Sequence, residues 1–220
     1  MPTSDHSEAV GSPEVVGRVV SAEECDRLWA AWTPAEVTQR MSGVAVPWCV
    51  TAGWALDLFT GGGARTHSDL EIAVPQGRFS EVVAAFPDHE WDVIGDDRIR
   101  SFPAQAAQFH QTWLREPATG RYRLDVFREP HVGDRWACRR DPSITLPYDE
   151  LIRHTSEGIP YATPEVALLF KAKARRDKDE ADFRRALPVM DRSQRSRLFE
   201  WITRVHPDHP WLERISTHMD

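Results

Sequence analysis

Residues 48–75 have the sequence WCVTAGWALDLFTGGGARTHSDLEIAVP, and their pattern is the most informative in the chain. The largely apolar residues 46–52, interrupted by one proline, predict a buried strand, and Gly53 follows this strand directly. Residues 54–59 have helical character, and a run of three glycines then ends the helix. A second strand is predicted from about residue 68 to Pro75, because the apolar residues Leu70, Ile72 and Val74 alternate with Asp69, Glu71 and Ala73. The segment therefore predicts the order strand, glycine, helix, strand.

Two acidic residues lie at alternate positions of the second predicted strand. A strand rises about 3.3 Å per residue, so the Cα atoms of Asp69 and Glu71 are expected about 6.6 Å apart, with both side chains on one face. Carboxylates at this spacing repel each other unless solvent or a cation neutralises them. The ordinary interpretation of such a pair is the solvent-exposed face of a half-buried strand.

A third acidic residue lies inside another predicted strand, residues 121–127. Asp125 has an apolar neighbour on each side, which places it within a strand expected to be central. Taken alone, it is most simply explained by a salt bridge to Arg121 or Arg123. If this strand lies beside the acidic pair, three carboxylates converge, and Mg²⁺ prefers such oxygen ligands.

Gly53 stands between the first predicted strand and the helix that follows. A glycine at this point lets a phosphate group approach the backbone, and the free N–H groups of the helix N-terminus favour an anion. The alternative interpretation is a tight turn without a ligand, which is common.

Capping patterns predict three further helix starts. Ser21, Thr33 and Asp191 are each followed three residues later by Glu or Gln, which is the capping-box spacing. Strand and helix patterns mix up to about residue 160, and helix patterns alone follow. We therefore expect a flexible N-terminal tail over residues 1–17, a domain of mixed strands and helices over 18–160 and a helical domain over 161–220.

Composition narrows the class of protein. The chain has 220 residues and a net charge of −7, so it can bury a sizeable core and is a poor general binder of nucleic acid. We identify neither an apolar run long enough to cross a membrane nor a secretory signal, so no membrane partner is expected. Three widely spaced cysteines are typical of reduced thiols in a cytoplasmic protein.

Two segments together resemble a known motif. Residues 52–57, AGWALD, and residues 65–72, RTHSDLEI, resemble the motif of the DNA polymerase β-like nucleotidyltransferase superfamily. They are most similar to the small aminoglycoside 2''-nucleotidyltransferases and lincosamide nucleotidyltransferases. The resemblance implies an α+β fold, with a mixed sheet and flanking helices followed by a small C-terminal helical domain. The active site would lie in the cleft between the two parts.

The resemblance also implies roles for individual residues. Asp69 and Glu71 would bind Mg²⁺ together with the phosphates of ATP, and Asp125 would act as general base or as a third metal ligand. Residues implied around the nucleotide are Gly53, Trp54, Arg65, Ser68 and a lysine, Lys171 or Lys173, of which we favour Lys171.

Two positions depart from the family motif. Ala52 replaces the first glycine of the motif, and its Cβ is expected to crowd the phosphate or to oppose a positive φ. Glu71 stands where Asp is more frequent, a change that related enzymes tolerate.

The implied function is Mg²⁺-dependent transfer of a nucleoside monophosphate, AMP from ATP, to a hydroxyl of a small molecule. An aminoglycoside-like antibiotic is the leading acceptor by resemblance. One alternative is a nucleotidyltransferase that modifies a protein or tRNA, and the acidic net charge argues against tRNA. Another alternative is a nucleotide-binding module without catalysis, which is considered because Ala52 replaces the first glycine of the motif.

Overall fold

The computed structural model describes residues 17–63, 65–174 and 176–219. Its elements in chain order are β1 (Arg18–Val19), α1 (Ala22–Leu28), α2 (Pro34–Arg40), β2 (Cys49–Val50), α3 (Ala52–Phe59), β3 (Glu71–Pro75), α4 (Phe79–Ala85), β4 (Glu90–Gly95), β5 (Arg98–Ser101), β6 (Gln111–Glu116), β7 (Arg121–Glu129), β8 (His131–Val132), β9 (Arg135–Cys138), β10 (Asp141–Pro147), α5 (Tyr148–Leu151), β11 (Ile152–His154), β12 (Pro160–Ala162), α6 (Pro164–Lys171), α7 (Asp177–Ala186), α8 (Arg192–Val205) and α9 (Trp211–Thr217). The predicted N-terminal tail lies, apart from Gly17, outside the described residues.

The large sheet is mixed and has the strand order β1-β5-β4-β6-β7-β3-β2-β12-β11. Strand β3 pairs in parallel with β7, and β2 pairs antiparallel to β3 and parallel to β12. A second sheet joins β10, β9 and β8. The expected α+β fold with a mixed sheet and flanking helices is confirmed.

Helix starts follow the capping patterns. Thr33 and Asp191 form complete capping boxes at the starts of α2 and α8, and the Ser21 side chain accepts a hydrogen bond from the Glu24 N–H at the start of α1. Each cap satisfies backbone donors that a helix start otherwise leaves without partners. The three predicted helix starts are therefore confirmed.

Two strand boundaries differ from the prediction. The first strand is confined to Cys49–Val50, because helix α3 already begins at Ala52. The second strand begins at Glu71, so the expectation that Asp69 lies within it is wrong. The reason is that the Asp69 carbonyl accepts a hydrogen bond from the Trp54 indole at 3.0 Å, and ladder pairing with β7 is established from Leu70 and Glu71 onward.

Alternation along β3 separates two hydrophobic clusters. Leu70, Ile72 and Val74 pack in the cluster that also contains Leu124 and Val126. Ala73, from the opposite face, packs against the other cluster, which joins α3 to the C-terminal helices. The acidic side chain of Glu71 therefore lies on the same face as the C-terminal helices.

The C-terminal part is tied to the large sheet as well as to α3. Residues of α3 and α6 share one buried cluster, and β12 pairs with β2. The predicted boundary between residues 160 and 161 falls inside β12. No helix of the described part of the chain is long and apolar enough to cross a membrane.

Candidate active site

The register of β3 and β7 brings two of the predicted carboxylates together. Glu71 and Asp125 are direct partners in the parallel pair, so their side chains lie on the same face of the sheet. Asp69 precedes Glu71 by two residues, and its charge raises the pKa of Glu71. The three carboxylates that the sequence analysis singled out are thus neighbours.

Asp125 is buried, with 3% of its surface exposed. Its Oδ2 atom accepts a hydrogen bond from the Gln111 amide at 2.6 Å, whereas Oδ1 has no hydrogen-bond partner in the described part of the chain. The alternative of a salt bridge does not hold, because Arg121 and Arg123 instead donate to backbone carbonyls of residues 29 and 30.

The electrostatics of this cluster are unfavourable when all three groups are ionised. Burial, and then the charge of Asp69, raise the pKa of Glu71 to about 7. Burial, and then the charge of Glu71, raise the pKa of Asp125 well above its ordinary value. A bound cation would remove this penalty, since a nearby positive charge favours the ionised form of a carboxyl group.

The glycine elbow, which we define as residues 51–53, begins α3. Thr51 is the N-cap residue but makes no side-chain capping bond, so the first N–H groups of α3 have no side-chain cap. Gly53 is packed closely: a Cβ atom there would lie 2.2 Å from Arg65 Nη2 and 3.0 Å from His67 Cε1. Gly53 is therefore needed for close packing of the segment that leads to Asp69.

Ala52 adopts a φ of +54°, in the left-handed region that favours glycine. The alanine does not prevent the positive φ that its family position implies. The conformation carries strain of about 1 kcal/mol, because Cβ crowds the neighbouring carbonyl oxygen. The elbow is thus formed in spite of its sequence departure.

A cavity of about 610 Å³ joins the elbow to the carboxylates. Its wall includes the elbow, Ser68, Asp69 and Glu71 from one side, and α6 together with Arg176 and Lys178 from the other. Sequence segments before and after residue 160 therefore contribute to one site, as the predicted cleft requires.

Two sequence-predicted residues lie outside the cavity wall. Trp54 donates its indole N–H to the Asp69 carbonyl and stacks on His67, so it supports the wall from behind. Asp125 is the neighbour of Glu71 on β7 and does not belong to the cavity wall. The remaining predicted residues, Gly53, Arg65, Ser68 and Lys171, line the cavity.

Lys171 and Lys173 are now distinguished. Lys171 is 7% exposed, lines the cavity and bonds Asp179 at 2.8 Å and Asp182 at 2.9 Å. Lys173 is exposed and does not belong to the wall. The choice of Lys171 for the site agrees with its placement.

The sequence did not predict four basic residues of the cavity wall as site residues: Arg139, Arg140, Arg176 and Lys178. The first two follow β9, in a segment of the chain that showed no clear pattern. Arg176 and Lys178 belong to a charged run that is typical of a solvated helix. Two adjacent basic residues, Arg139 and Arg140, are the sequence feature that could have indicated this basic part of the wall.

The far end of the cavity is aromatic and also contains the ion pair between Glu129 and Arg139. Phe127 partners Ala73 in the sheet, two residues along the strands from the Glu71–Asp125 pair, and both line the cavity. Trp136 and Phe170 close this end, with the Arg139 guanidinium 4.1 Å from the Phe170 ring centroid. The arrangement suits a flat or apolar group of a small ligand.

The described residues do not already enclose a metal ion. Among their His, Cys, Asp and Glu side chains, no group of three is arranged to hold one. The acidic cluster therefore offers oxygen donors without a closed coordination shell.

Comparison with known proteins shows a family and several solved structures that the chain resembles. Residues 35–113 match the family model of aminoglycoside-2''-adenylyltransferase, and this range contains Gly53, Asp69 and Glu71. The solution structure of the antibiotic-resistance factor ANT(2'')-Ia is 13% identical, with a TM-score of 0.53 and coverage of 84% of this chain and 95% of that one. The chain is similar to the antibiotic nucleotidyltransferases.

A crystal structure of ANT(2'')-Ia in complex with adenylyl-2''-tobramycin gives a TM-score of 0.52 at 13% identity, and covers 77% of this chain and 95% of that chain. The lincosamide antibiotic adenylyltransferase LnuA, bound to lincomycin, is 17% identical with a TM-score of 0.48, covering 79% and 100%. No curated protein matches the chain. The family match over residues 35–113 and the fold shared with ANT(2'')-Ia support an enzyme of the nucleotidyltransferase class.

Proposed function

We propose that this antibiotic-nucleotidyltransferase-like chain transfers AMP from ATP to a hydroxyl group of a small molecule, with Mg²⁺. The observation that carries the proposal is the position of Asp69 and Glu71 on the wall of the cavity that also contains the glycine elbow. The elbow offers backbone donors to phosphate, and the carboxylates offer oxygen donors to a cation.

The residues present fit a hard divalent cation. All three acidic groups provide oxygen ligands, and the Oδ1 atom of Asp125 is buried without a partner. We propose that Asp69 and Glu71, on the cavity wall, hold the ion and that Asp125, the direct partner of Glu71 on the same sheet face, is its third donor. The ion, when bound, neutralises negative charge on the reacting phosphate.

The elbow and the basic side chains hold the triphosphate. The N-terminus of α3 would bind phosphate oxygens, with Arg65 directly beside the elbow and with Lys171 and Arg176 from the C-terminal side of the cavity to neutralise their charge. The acceptor hydroxyl gives its proton to Asp125, acting as general base, or to water; its oxygen bonds to the α-phosphorus in line, and the bond to the β-phosphate oxygen breaks, releasing pyrophosphate. Positioning of both substrates supplies most of the rate.

We propose an antibiotic as the acceptor, with an aminoglycoside first and a lincosamide second. The family match over residues 35–113 supports the first, and the enclosed aromatic end of the cavity suits a small molecule of either kind. The three cysteines are free, which fits a proposed location in the cytoplasm.

A second candidate is a nucleotide-binding module without catalysis. The observation that favours it is the strained Ala52 at the point where phosphate would approach. In this case ATP and Mg²⁺ would bind, but no acceptor would release pyrophosphate.

A pyrophosphate-release screen tests the proposal. The chain receives ATP and Mg²⁺ together with aminoglycosides, lincosamides, protein extract or tRNA. The variant Asp69→Asn is compared with Asp88→Asn, because Asp88 is exposed and lies outside the cavity wall. We expect release with an antibiotic, loss of release in Asp69→Asn and full activity in Asp88→Asn. Release that survives Asp69→Asn contradicts the assigned role, and silence with every acceptor, despite ATP binding, favours the second candidate.

A further inference from the structure

Asp57 of α3 is a buried carboxylate outside the cavity wall, and its ion pairs join parts of the chain that are far apart in sequence. It is 2% exposed, and its two oxygen atoms bind different partners. The Oδ2 atom lies 2.8 Å from Nε2 of His67, and Oδ1 accepts a hydrogen bond from the Arg185 guanidinium of α7.

His67 connects Asp57 to the segment that carries Asp69. Because a carboxylate only accepts hydrogen bonds, Nε2 of His67 carries the proton in this pair. The imidazole stacks on the Trp54 indole, with ring centroids 4.3 Å apart, and Trp54 donates to the Asp69 carbonyl at 3.0 Å. One continuous set of contacts thus runs from Asp57 through two rings to the backbone of Asp69.

The same imidazole also supports the elbow. A Cβ atom on Gly53 would lie 3.0 Å from Cε1 and 3.1 Å from Nδ1 of His67, so the ring is in close packing range of the elbow backbone. The distance between the phosphate-binding elbow and the Asp69 carboxylate therefore depends on where the imidazole sits, and Asp57 fixes this position.

Arg185 extends the connection to the C-terminal helices. Its guanidinium binds Asp57 and lies 3.8 Å from Asp182, which in turn lies 2.9 Å from Lys171 of the cavity wall. A shift of α7 would therefore change the positions of both Asp57 and Lys171.

We propose that Asp57 is a positioning residue for nucleotidyl transfer, which sets the placement of Asp69 relative to the glycine elbow through His67 and Trp54. The inference rests on the proposed function. It assigns to Asp57 a kinetic effect without contact to substrate, since small misplacements of reacting groups can cost up to about 100-fold in rate.

The test compares Asp57→Asn with a matched control, Asp92→Asn. Asp92 is also a buried carboxylate, 4% exposed, which accepts hydrogen bonds from Arg115 and the Tyr122 hydroxyl at 2.9 Å each. It lies on β4, which β6 and β7 separate from β3. Both variants replace one buried anion by an amide, so both are expected to lower the melting temperature.

The kinetic constants distinguish the two variants. For Asp57→Asn we expect kcat for pyrophosphate release to fall by about 10- to 100-fold, with the KM for ATP changed by less than about threefold. For Asp92→Asn we expect kcat within about twofold of the unmodified chain. Equal kcat losses in both variants, or an unchanged kcat in folded Asp57→Asn, would overturn the proposal.

Trp54→Phe keeps the test decisive if Asp57→Asn does not fold. Phenylalanine retains a ring against His67 but lacks the N–H that binds the Asp69 carbonyl, so we expect a lower kcat with little change in melting temperature. An unchanged kcat would overturn the proposed connection.

If the unmodified chain releases no pyrophosphate, the proposed function fails separately. The measured quantity is then the Mg²⁺ concentration needed for ATP binding, determined by calorimetry. This Mg²⁺ concentration should rise in Trp54→Phe and stay unchanged in Asp92→Asn. Equal Mg²⁺ concentrations for the unmodified chain and both variants would overturn the positioning role.

Discussion

The carboxyl groups of Glu71 and Asp125 face the same side of the sheet because the two residues are direct partners on parallel strands. Burial, added to the charge of its neighbour, raises the pKa of Asp125 well above the ordinary range. The pair therefore costs stability when both groups are ionised and no positive charge lies nearby.

Replacement of Asp125 by asparagine should separate activity from stability. We expect pyrophosphate release to fall by about 100-fold or more, the loss typical of removing an electrostatic contact from an active site. The melting temperature at pH 8 should stay the same or rise, because the amide can still accept from Gln111 and carries no buried charge. Activity within tenfold of the unmodified chain would show that the third carboxylate is dispensable.

Ala52→Gly should relieve the strain of the elbow. Glycine adopts a φ of +54° without strain, which removes a steric penalty of about 1 kcal/mol from the folded state. The greater conformational freedom of glycine in the unfolded chain costs about 0.5–1 kcal/mol of stability, so the two effects nearly cancel. We expect a nearly unchanged urea midpoint and a lower KM for ATP, because Cβ no longer lines the cavity. Ala55→Gly, in the same helix, should lower the urea midpoint without changing the KM. A higher KM in Ala52→Gly would contradict the assignment of this position to phosphate binding.

Gly53→Ala should disturb the site while leaving the fold intact. The new Cβ would overlap Arg65 Nη2, the mobile end of a long side chain, and would press on the His67 ring. We expect the KM for ATP to rise, because Arg65 must leave its place on the wall. Gly43→Ala serves as the control, since a Cβ there meets nothing within 4 Å. Equal kinetic constants for the two variants would argue against close packing at the elbow.

Lys171→Met should weaken nucleotide binding more than Lys173→Met. Lys171 faces the cavity between two aspartates, whereas Lys173 is exposed. We expect the KM for ATP to rise about tenfold in Lys171→Met, which corresponds to about 1.4 kcal/mol, and to remain unchanged in Lys173→Met. Steady-state kinetics at saturating acceptor measures both, and a similar KM in the two variants would remove Lys171 from the proposed site.

Acid should destabilise the C-terminal helices through Asp179. Burial raises its pKa, but hydrogen bonds from Arg176 and Lys171 lower it more, so the pKa in the folded chain is below the ordinary value. The stability from this carboxylate is present above the unfolded pKa of about 3.9 and is lost as the pH falls through the folded pKa.

Asp179→Asn should therefore lower the free energy of unfolding at pH 7 by about 3 kcal/mol and reduce its decline below pH 4. Urea unfolding between pH 2.5 and 7 measures both effects. Asp177→Asn, at an exposed position of the same helix, should change neither. An unaltered acid slope in Asp179→Asn would show that the ion pairs contribute nothing measurable.

The elbow and the acidic strand could be predicted because their signals are local. A glycine between two apolar segments, an alternating acidic strand and capping boxes each depend on a few consecutive residues. Resemblance then placed Asp125 beside Glu71, and the register of β3 and β7 agrees.

The basic wall and the Asp57 connection could not be predicted in the same way. Arg139, Arg140 and Arg176 reach the cavity only because β9 and α7 pack over the sheet face, and no short-range pattern encodes that packing. Asp57 and Arg185 are 128 residues apart in sequence, and in isolation each is an ordinary charged residue of a helix. The exact start of β3 was also missed, because a side-chain donor on α3 takes the Asp69 carbonyl.

The placement of β12 next to β2 has a consequence for biosynthesis. A ribosome must translate past Ala162 before β2 can acquire its outer neighbour, so the nascent chain carries an unpaired strand edge next to β3 until late in synthesis. A premature stop before Pro160 would yield a product with that edge exposed and prone to self-association, rather than a smaller working enzyme.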